Sequence, residues 1–282
     1  MARIALLGTG LLGSGMVQRF LGAGTGVTVW NRTEHKARAL QARGAAVASS
    51  PKDAAAGADR VHLVLPDDRI VDTILEQIGD GLRDTIVVDH STTLPEATKQ
   101  RAERLRARGV RYLHAPVFMS PQMASDGVGL MLVSGAQGDF DAIRPALERM
   151  TGDVWYLGER ADLAAAYKLF GNCMLFAISG GLADVIAMAR ANGIDAVEAL
   201  SVFQKFQAGN IINFRGPRMA RGETTPASFA VEMARKDVGL MIAAAKDQPL
   251  VALPCIARRM DAVIASGRGD EDVAALAALP VR

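Results

Sequence analysis

The sequence predicts an α/β protein in which a doubly wound sheet is followed by an all-α domain. Through the first half of the chain, short apolar runs rich in β-branched residues alternate with stretches of helical periodicity, the pattern of parallel βαβ units. From Ala161 onward the β-rich runs stop and helical periodicity dominates. We therefore expect two domains, residues 1–160 and residues 161–282, which suits a chain of 282 residues.

The expected elements follow these patterns in chain order. The strands are expected at Arg3–Leu7, Val27–Trp30, Arg60–Leu65, Thr85–Asp89, Tyr112–Val117 and Gly129–Ser134. The helices between them are expected at Leu11–Leu21, His35–Arg43, Arg69–Gln77, Pro95–Arg108 and Asp139–Met150. The second domain is expected to begin with one long alanine-rich helix and to continue with shorter ones, at Leu163–Ala191, Ala196–Phe206, Val231–Asp247, Pro254–Ala265 and Glu271–Ala278. The prolines of this half are interpreted as helix boundaries: Pro217, Pro226, Pro249 and Pro254.

Charge and cysteine content narrow the class of protein. A formal net charge of +2 gives no electrostatic reason to expect nucleic acid or a membrane as partner. The most basic stretch, Arg101–Arg111, has its arginines at helical spacing and is interpreted as a solvated helix face. Cys173 and Cys255 lie in apolar surroundings without metal-ligand spacing, which predicts buried free thiols and no metal site. Because we find neither a signal peptide nor a charge-free apolar run of spanning length, we expect a soluble cytoplasmic protein.

A glycine-rich turn close to the N-terminus predicts a dinucleotide site. The pattern G-x-G-x-x-G is formed by Gly8, Thr9, Gly10, Leu11, Leu12 and Gly13. It follows one expected strand, opens an expected helix and is followed by a second strand, which is the context this motif requires. Gly8 permits the tight turn, Gly10 lets the backbone approach the pyrophosphate, and Gly13 lets the helix pack on the sheet. The alternative is a flexible glycine turn without a ligand.

The end of the second expected strand indicates which dinucleotide is bound. NAD-specific folds place an acidic residue there to bind the ribose 2′-hydroxyl, whereas this chain reads Asn31-Arg32-Thr33. Arg32 supplies a planar cation, and Asn31 and Thr33 supply neutral hydrogen-bonding groups, a set that suits a 2′-phosphate. NADP(H) is therefore expected. The alternative is that Arg32 lies on a surface loop and contacts no ligand.

Lys168 and Asn172 are candidates for chemistry on the long helix. They stand four residues apart and so share one helix face, in the apolar segment AAAYKLFGNCMLF. An amine in an apolar cleft has a lowered pKa and serves as a proton donor near neutral pH. The alternative, which spacing alone leaves equally open, is a lysine that extends to the surface beside a structural asparagine.

Further candidates follow two strands of the first domain, at the carboxyl edge of the sheet where open α/β folds bind ligands. Ser91, interpreted as a substrate contact, and Thr92 follow the strand that ends at Asp89. The pair Leu65-Pro66 ends another strand in the same way. For the hydroxyl groups, capping of the helix that begins at Pro95 remains an alternative.

Several motifs in order give the chain a resemblance to the β-hydroxyacid dehydrogenase family over essentially its full length. They are GTGLLG near the start, VTVWNRT at the second strand, LPDD at Leu65–Asp68, DHST at Asp89–Thr92, HAPV at His114–Val117, YKLFGN around Lys168 and FAVEMARKDVGL around Lys236. The resemblance implies a Rossmann-like domain, a long interdomain helix and an α-helical domain that forms a homodimer or higher homo-oligomer.

The resemblance also implies roles for individual residues. Lys168 would be the catalytic acid/base and Asn172 would help to hold the substrate. Thr92 and Lys236 would contact the cofactor near its reactive end, with Leu65-Pro66 lining it. These roles imply a reductase or dehydrogenase that transfers hydride between NADP(H) and a small-molecule carbonyl or alcohol of the 3-hydroxyacid or semialdehyde type.

The chain departs from the family at the expected substrate loop. Phe118, Met119 and Ser120 stand where the family usually has Ser-Gly-Gly, whose N–H groups hold a substrate carboxylate. The segment Gly158–Leu163 also lacks the further glycines that are common before the catalytic helix. Two alternatives therefore stay open: reduction of imines or bulky apolar ketones and aldehydes on the same fold, or an NADP-binding protein without catalytic activity.

Overall fold

The computed structural model of the chain describes residues 2–83 and 85–278, and within these ranges it contains one sheet of nine strands. The strands are β1 (Ile4–Leu7), β2 (Val27–Trp30), β3 (Ala46–Val47), β4 (Arg60–Leu63), β5 (Ile86–Asp89), β6 (Arg111–His114), β7 (Val117–Phe118), β8 (Leu130–Gly135) and β9 (Asp153–Tyr156).

The strand order is that of a doubly wound sheet. The strands β3-β2-β1-β4-β5-β6 are parallel neighbours, β8 joins β6 antiparallel, and β8 also pairs with β7 and β9. The chain leaves β1 in one direction and later returns to its other side with β4. The carboxyl ends of β1 and β4 therefore flank the crevice where ligands bind in such sheets.

Helices pack between and after the strands. They are α1 (Leu11–Gly22), α2 (Glu34–Gln41), α3 (Pro51–Ala55), α4 (Asp68–Ile78), α5 (Pro95–Ala107), α6 (Pro121–Asp126), α7 (Gln137–Thr151), α8 (Leu163–Ala191), α9 (Ala196–Leu200), α10 (Val202–Lys205), α11 (Ile211–Arg221), α12 (Val231–Ala244) and α13 (Leu253–Ala265). The predicted fold class, a Rossmann-like sheet followed by a helical part with a long helix at its start, is confirmed.

The chain divides into two compact units, Met1–Asn172 and Cys173–Arg282, so the division falls inside α8. In the first unit the sheet has a core on each face, because successive strand residues point to opposite sides. In β1, Ile4 and Leu6 belong to one core and Ala5 and Leu7 to the other. Burial on both faces explains why the central strands read as continuous apolar runs.

The second unit has a smaller core of its own. Apolar residues of α12 pack there against residues of α13, and the members include Val231, Ala234, Val238, Ala257, Met260 and Val263. These positions recur at helical spacing along each helix, which is the pattern that predicted helices in this part of the chain.

Several predicted elements were wrong in detail. The single strand expected at Tyr112–Val117 is divided into β6 and β7, because Pro116 lacks the N–H group that would continue the ladder. Pro217 lies inside α11 rather than at a helix boundary, which costs that helix one hydrogen bond. The helix expected at Glu271–Ala278 is a short 3₁₀ turn at Val273–Ala277, whose N-cap is Asp272. Five short or unexpected elements were missed: β3, β9, α3, α6 and α11.

The prediction of buried thiols was also wrong, since both Cys173 and Cys255 are exposed. Cys173 lies on a stretch of α8 where Leu175 and Phe176 are exposed too. Apolar neighbours in sequence predict burial only where other parts of the chain cover them, and at this stretch the described residues do not.

The sequence predicts no charge-free apolar run long enough to span a membrane. Within the described ranges, however, one helix, α8, is long and apolar enough to cross a membrane by length and composition alone.

Candidate cofactor and active site

The glycine turn between β1 and α1 has the close packing that its motif predicts. Gly8 has a φ of +103°, and a Cβ atom there would lie 2.1 Å from the carbonyl oxygen of Val64. A Cβ atom on Gly13 would lie 1.9 Å from the carbonyl oxygen of Gly8. Both positions therefore require glycine. A Cβ atom on Gly10, by contrast, would have no described atom within 4 Å, so the space beside this residue is open to a ligand.

The N-terminus of α1 is suited to an anion. This 12-residue helix begins after Gly10, and none of the described side chains caps it or places an acid in its first turn. Its first N–H groups therefore point outward without a side-chain partner, and the helix dipole adds partial positive charge. Backbone N–H groups at such an end fit the pyrophosphate of a dinucleotide.

Asn31 has a structural role that the sequence did not reveal. The backbone N–H of Thr9 donates to Oδ1 of Asn31 at 3.0 Å, and Nδ2 of Asn31 donates to the carbonyl oxygen of Thr33 at 3.0 Å. The Asn31 amide therefore joins the end of β2 to the glycine turn. Arg32, the next residue, is exposed, and Thr33 is the N-cap residue of α2.

Ser91 connects the ends of β4 and β5. Its hydroxyl oxygen accepts the backbone N–H of Leu65 at 3.0 Å, and its own N–H donates to Oδ1 of Asp89 at 2.9 Å. The residue is buried, which favours a structural role over the predicted contact with substrate. Thr92 and Pro66, the next residue in each loop, are exposed. The two loops thus hold each other at the carboxyl edge of the sheet and present Thr92 and Pro66 to solvent.

A buried arginine lies under these loops, contrary to the prediction that Arg101 belongs to a solvated helix face. Its side chain is 1% exposed and contacts three carboxylates, those of Asp68 at 2.8 Å, Asp72 at 2.7 Å and Asp89 at 3.9 Å. Asp68 in turn accepts the N–H of Leu94 at 2.9 Å. Arg101 therefore links the start of α4, through Asp68, to the end of β5, through Asp89.

The sequence did contain a signal for this arginine. Thr98, Arg101 and Leu105 recur at helical spacing, and all three are buried on the same face of α5. Burial raises the pKa of Asp89, while hydrogen bonds from Ser91 and the charge of Arg101 act in the opposite direction. Arg101 and Asp89 thus lie out of water, while Asp68 and Asp72 reach the surface, so the buried charges depend on their pairing.

Three histidines that the sequence left without a role are buried next to this edge. Nδ1 of His62 lies 2.9 Å from Nε2 of His90, whose Nδ1 lies 2.7 Å from the carbonyl oxygen of Ala115. Burial lowers the pKa of His90 to about 4 and that of His114 to about 3. Burial also lowers the pKa of His62. All three are therefore neutral at physiological pH and act as packed polar groups.

Lys168 lies near the start of α8, within the first unit. Its Nζ atom donates to the carbonyl oxygen of Val117 at 2.8 Å and lies 3.9 Å from the centroid of the Phe118 ring. The side chain is half-buried, and this burial lowers the pKa of its amine. Lys168 therefore does not extend freely into solvent, which was the alternative that the sequence left open.

Gly171 allows Phe118 to approach the helix. A Cβ atom on Gly171 would lie 2.3 Å from Cζ of Phe118, so the ring occupies the space that a side chain would fill. Gly171 follows Lys168 by three residues and so shares its face of α8, which places the ring beside both residues. The structure thus brings Lys168 and Phe118 together, as members of one site.

The other predicted site residues are placed as follows. Asn172 is half-buried one turn after Lys168. Met119 is partly buried against one core of the first unit. Ser120 is exposed, and its hydroxyl accepts the N–H of Met123 at 3.2 Å as the N-cap of α6. Lys236 belongs to the second unit, where it is exposed on α12 and lies 3.1 Å from Asp237. Among residues 2–83 and 85–278, no group of three or more potential metal ligands is found.

Two protein-family models match the chain. The model described as the NAD binding domain of 6-phosphogluconate dehydrogenase matches residues 3–158, and that described as the NAD-binding domain of NADP-dependent 3-hydroxyisobutyrate dehydrogenase matches residues 163–279. Together with the glycine turn, they define an NAD(P)-dependent oxidoreductase that acts on alcohol or carbonyl groups. The predicted cofactor, NADP(H), is confirmed at the level of these families.

The chain belongs to the β-hydroxyacid dehydrogenase family. It is 30% identical to 3-hydroxyisobutyrate dehydrogenase of Pseudomonas aeruginosa, over 92% of this chain and 91% of that enzyme. It is 29% identical to the uncharacterized oxidoreductase YfjR of Bacillus subtilis, over 97% of this chain and 98% of that protein. It is also 29% identical to the cytokine-like nuclear factor N-PAC of Xenopus tropicalis, but spans only 46% of that protein's length.

Solved structures share the fold. An imine reductase from Bacillus cereus superimposes with a TM-score of 0.84 at 27% identity, covering 97% of each chain. The match extends over both units of the chain, since it covers nearly all of the sequence. The imine-reducing branch of this fold is thus represented among the similar structures, which bears on the alternative left open by Phe118.

Proposed function

We propose that this protein reduces a small carbonyl compound with NADPH, and that Lys168 supplies the proton. The observation that carries the proposal is the geometry of Lys168: a half-buried amine with a lowered pKa, held by the carbonyl oxygen of Val117 at 2.8 Å. Within the described residues, no carboxylate forms an ion pair with it, so the amine is available to a reacting oxygen. A lowered pKa brings proton donation closer to neutral pH.

The residues around the glycine turn fit the dinucleotide. Open space beside Gly10 and the uncapped N-terminus of α1 suit a pyrophosphate. When bound, NADPH supplies the hydride, and the protein's part is to orient the reactants and to stabilise charge. Thr92 is proposed as a contact near the reactive end of the cofactor, with Leu65-Pro66 lining it. Lys236 is proposed as a further contact from the family motif around it.

We propose that Lys168 does two things during reduction. Its ammonium group donates a hydrogen bond to the substrate oxygen, which polarises the carbonyl, and then transfers its proton as negative charge develops there. The bond to Val117 limits the motion of the amine, so the proton is held at a defined point. Asn172, one turn later on α8, is proposed to orient the substrate through its side-chain amide.

Arg32 is proposed to select NADPH over NADH. It is exposed directly after β2, and within the described residues it enters no ion pair, so its guanidinium is free for a 2′-phosphate. The amide of Asn31 bonds within the chain through Oδ1 and through one N–H of Nδ2, so Arg32 and the hydroxyl of Thr33 are proposed as the main phosphate ligands.

The experiment is steady-state reduction of a carbonyl panel by Lys168→Met, with the exposed Lys99→Met as matched control. We expect Lys168→Met to lower kcat by about two or more orders of magnitude, with an NADPH dissociation constant near that of wild type. Lys99→Met should behave as wild type. Near-normal turnover by Lys168→Met would show that another group supplies the proton.

Imine reduction is a second candidate, favoured by the apolar ring of Phe118 beside the amine. The imine reductase from Bacillus cereus is similar over nearly the whole chain. A cyclic imine in the same substrate panel separates the two, because a carbonyl reductase should leave it unreduced. An NADP-binding protein without activity, the remaining alternative, would bind NADPH and oxidise it with no member of the panel.

We further propose a homodimer located in the cytoplasm, with no nucleic acid or membrane partner. In the second unit, an apolar groove of about 670 Å³ lies between α8 and α11, lined by residues that include Met174, Ile178, Leu182, Phe206, Ile211 and Ile212. Exposed apolar surface of this extent is typical of an association site. Light scattering should give twice the chain mass, and Ile178→Glu should give the monomer. A monomeric wild type would refute the dimer.

A further inference from the structure

We propose that Phe118 makes this enzyme selective for uncharged carbonyl substrates and against carboxylates such as glyoxylate. The proposal deepens the proposed function and rests on it. Phe118 would act as a specificity-determining residue, because its ring stands in the loop where the related enzymes use a serine and glycines to hold a substrate carboxylate.

The ring packs against one face of α8 at two points. Cζ of Phe118 fills the space beside Gly171, where it would lie 2.3 Å from an added Cβ atom. The ring centroid lies 3.9 Å from Nζ of Lys168, one turn earlier on the same helix. The backbone of Phe118 is held as well, because β7 pairs with β8 and aligns Phe118 with Leu130. The ring is therefore an ordered wall of the site next to the amine.

The Phe118 ring makes the Lys168 amine a poorer partner for a carboxylate than for an uncharged carbonyl group. A cation over an aromatic face is stabilised by the negative charge of that face, so the Lys168 ammonium already has a partner. A carboxylate that approaches the amine from the same side meets the negative face of the ring and loses its hydration against apolar surface. An uncharged carbonyl loses far less hydration there, and it needs only one hydrogen bond from the amine.

The side chains of the rest of the loop contact other parts of the chain. The hydroxyl of Ser120 serves as the N-cap acceptor for Met123, and the side chain of Met119 packs against a core of the first unit. The carbonyl oxygen of Val117, which faces the amine, accepts a hydrogen bond and would repel a carboxylate.

The test compares substrates of equal shape and different charge. Glyoxylate is paired with isobutyraldehyde, and succinic semialdehyde with 4-methylpentanal, so that an isopropyl group replaces each carboxylate. We expect wild type to reduce each uncharged member with a kcat/KM at least tenfold above that of its partner. Phe118→Ser should shift this ratio by tenfold or more toward the carboxylate. Phe118→Leu, which keeps the apolar surface and removes only the aromatic face, is the matched control and should still prefer the uncharged member of each pair.

A binding measurement gives a readout besides turnover. The dissociation constant of isobutyrate, a carboxylate that cannot be reduced, is determined by calorimetry on the protein saturated with NADP⁺. We expect Phe118→Ser to bind isobutyrate at least fivefold more tightly than wild type and Phe118→Leu. A wild type that prefers glyoxylate, or a Phe118→Ser variant with unchanged ratio and unchanged isobutyrate binding, would overturn the inference.

These outcomes are distinguishable from a failure of the proposed function. If Lys168→Met retains full turnover, the assigned proton donor is wrong, while the charge preference of wild type and Phe118→Ser still decides the role of Phe118. If no carbonyl is reduced by any variant, carbonyl reduction is wrong, and equal isobutyrate binding by wild type and Phe118→Ser would remove the specificity proposal as well.

Discussion

The side chain of Asn31 holds the backbone of Thr9 at the glycine turn, with the Thr9 N–H donating to Oδ1 at 3.0 Å. Asn31→Ala removes this acceptor and leaves the turn less ordered. We expect dissociation constants for NADPH and NADH to rise by a similar factor, roughly fivefold, since a lost hydrogen bond of this kind is worth about 1 kcal/mol. Fluorescence titration with each dinucleotide measures the two dissociation constants. Weaker binding of NADPH alone would instead show that Asn31 is a ligand of the 2′-phosphate.

Arg32 should behave differently from Asn31. Arg32→Ala removes a cation from the proposed 2′-phosphate site and should weaken NADPH binding by about tenfold or more, because hydrogen bonds to charged groups are worth about 1.5–3 kcal/mol. Binding of NADH should change little. Arg38→Ala is the matched control, since Arg38 lies on α2 and pairs with Glu34. Equal losses for both dinucleotides in Arg32→Ala would contradict the assignment.

Arg101 should be important for stability despite its position in an arginine-rich helix. Arg101→Met leaves the carboxylates of Asp89 and Asp68 without their partner, and breaking a buried pair of this kind costs about 3–5 kcal/mol. Arg104→Ala is the matched control, because Arg104 contacts Asp72 at 3.1 Å but is 57% exposed. That variant should lose about 1 kcal/mol or less. Urea unfolding measures both, and equal small losses would show that the buried cluster is not stabilising.

The buried histidines predict loss of stability in mild acid. His62 and His90 have native pKa values below the ordinary histidine value of 6.5, so the unfolded chain binds protons first as pH falls. Each such group lowers the free energy of unfolding by about 1.4 kcal/mol per pH unit. The loss from His90 runs from pH 6.5 down to about 4, and that from His114 continues to about 3, the native pKa of each group. Asp89, whose pKa is raised, opposes part of it at the acidic end.

Variants of two histidines separate this effect from general acid sensitivity. His62→Gln removes one buried imidazole and should reduce the slope of unfolding free energy against pH in this range. His35→Gln changes an exposed imidazole at the start of α2 and should leave the slope as in wild type. The free energy of unfolding is obtained by urea titration at each pH. Equal slopes for both variants and wild type would show that His62 does not stay neutral in the native state.

Strands buried on both faces were predicted well from the sequence. Thr85–Asp89 was predicted to within one residue of β5, whose four residues are all buried, because burial on both faces selects a continuous β-branched run. Strands β3 and β7, with two residues each, are too short to show a period and exist through pairing with their neighbours. The long buried strands were therefore easier to predict from the sequence than the short strands β3 and β7.

For the site, the sequence indicated which residues lie near it better than it indicated what their side chains contact. Asn31 was expected to contact the cofactor because it is polar and ends a strand, but residue type does not tell whether an amide faces a ligand or the backbone. Ser91 is a second example, since its hydroxyl is used by Leu65 within the sheet edge. The contact between Phe118 and Lys168 joins residues far apart in sequence, and no local pattern specifies such a distance. The roles of the site residues and the domain boundary near residue 160 stay predictions.

Helix α8 continues without interruption through Asn172 and Cys173, where the chain divides into its two compact units. A chimera between two relatives joined at this point would fuse helix to helix and would need no designed linker. In such an exchange the proposed proton donor, Lys168, stays with the dinucleotide-binding half, while the exposed apolar groove is inherited with the other half. The proton donor and the groove would then be exchanged separately, whereas a cut at residue 160 would transfer the lysine together with the groove.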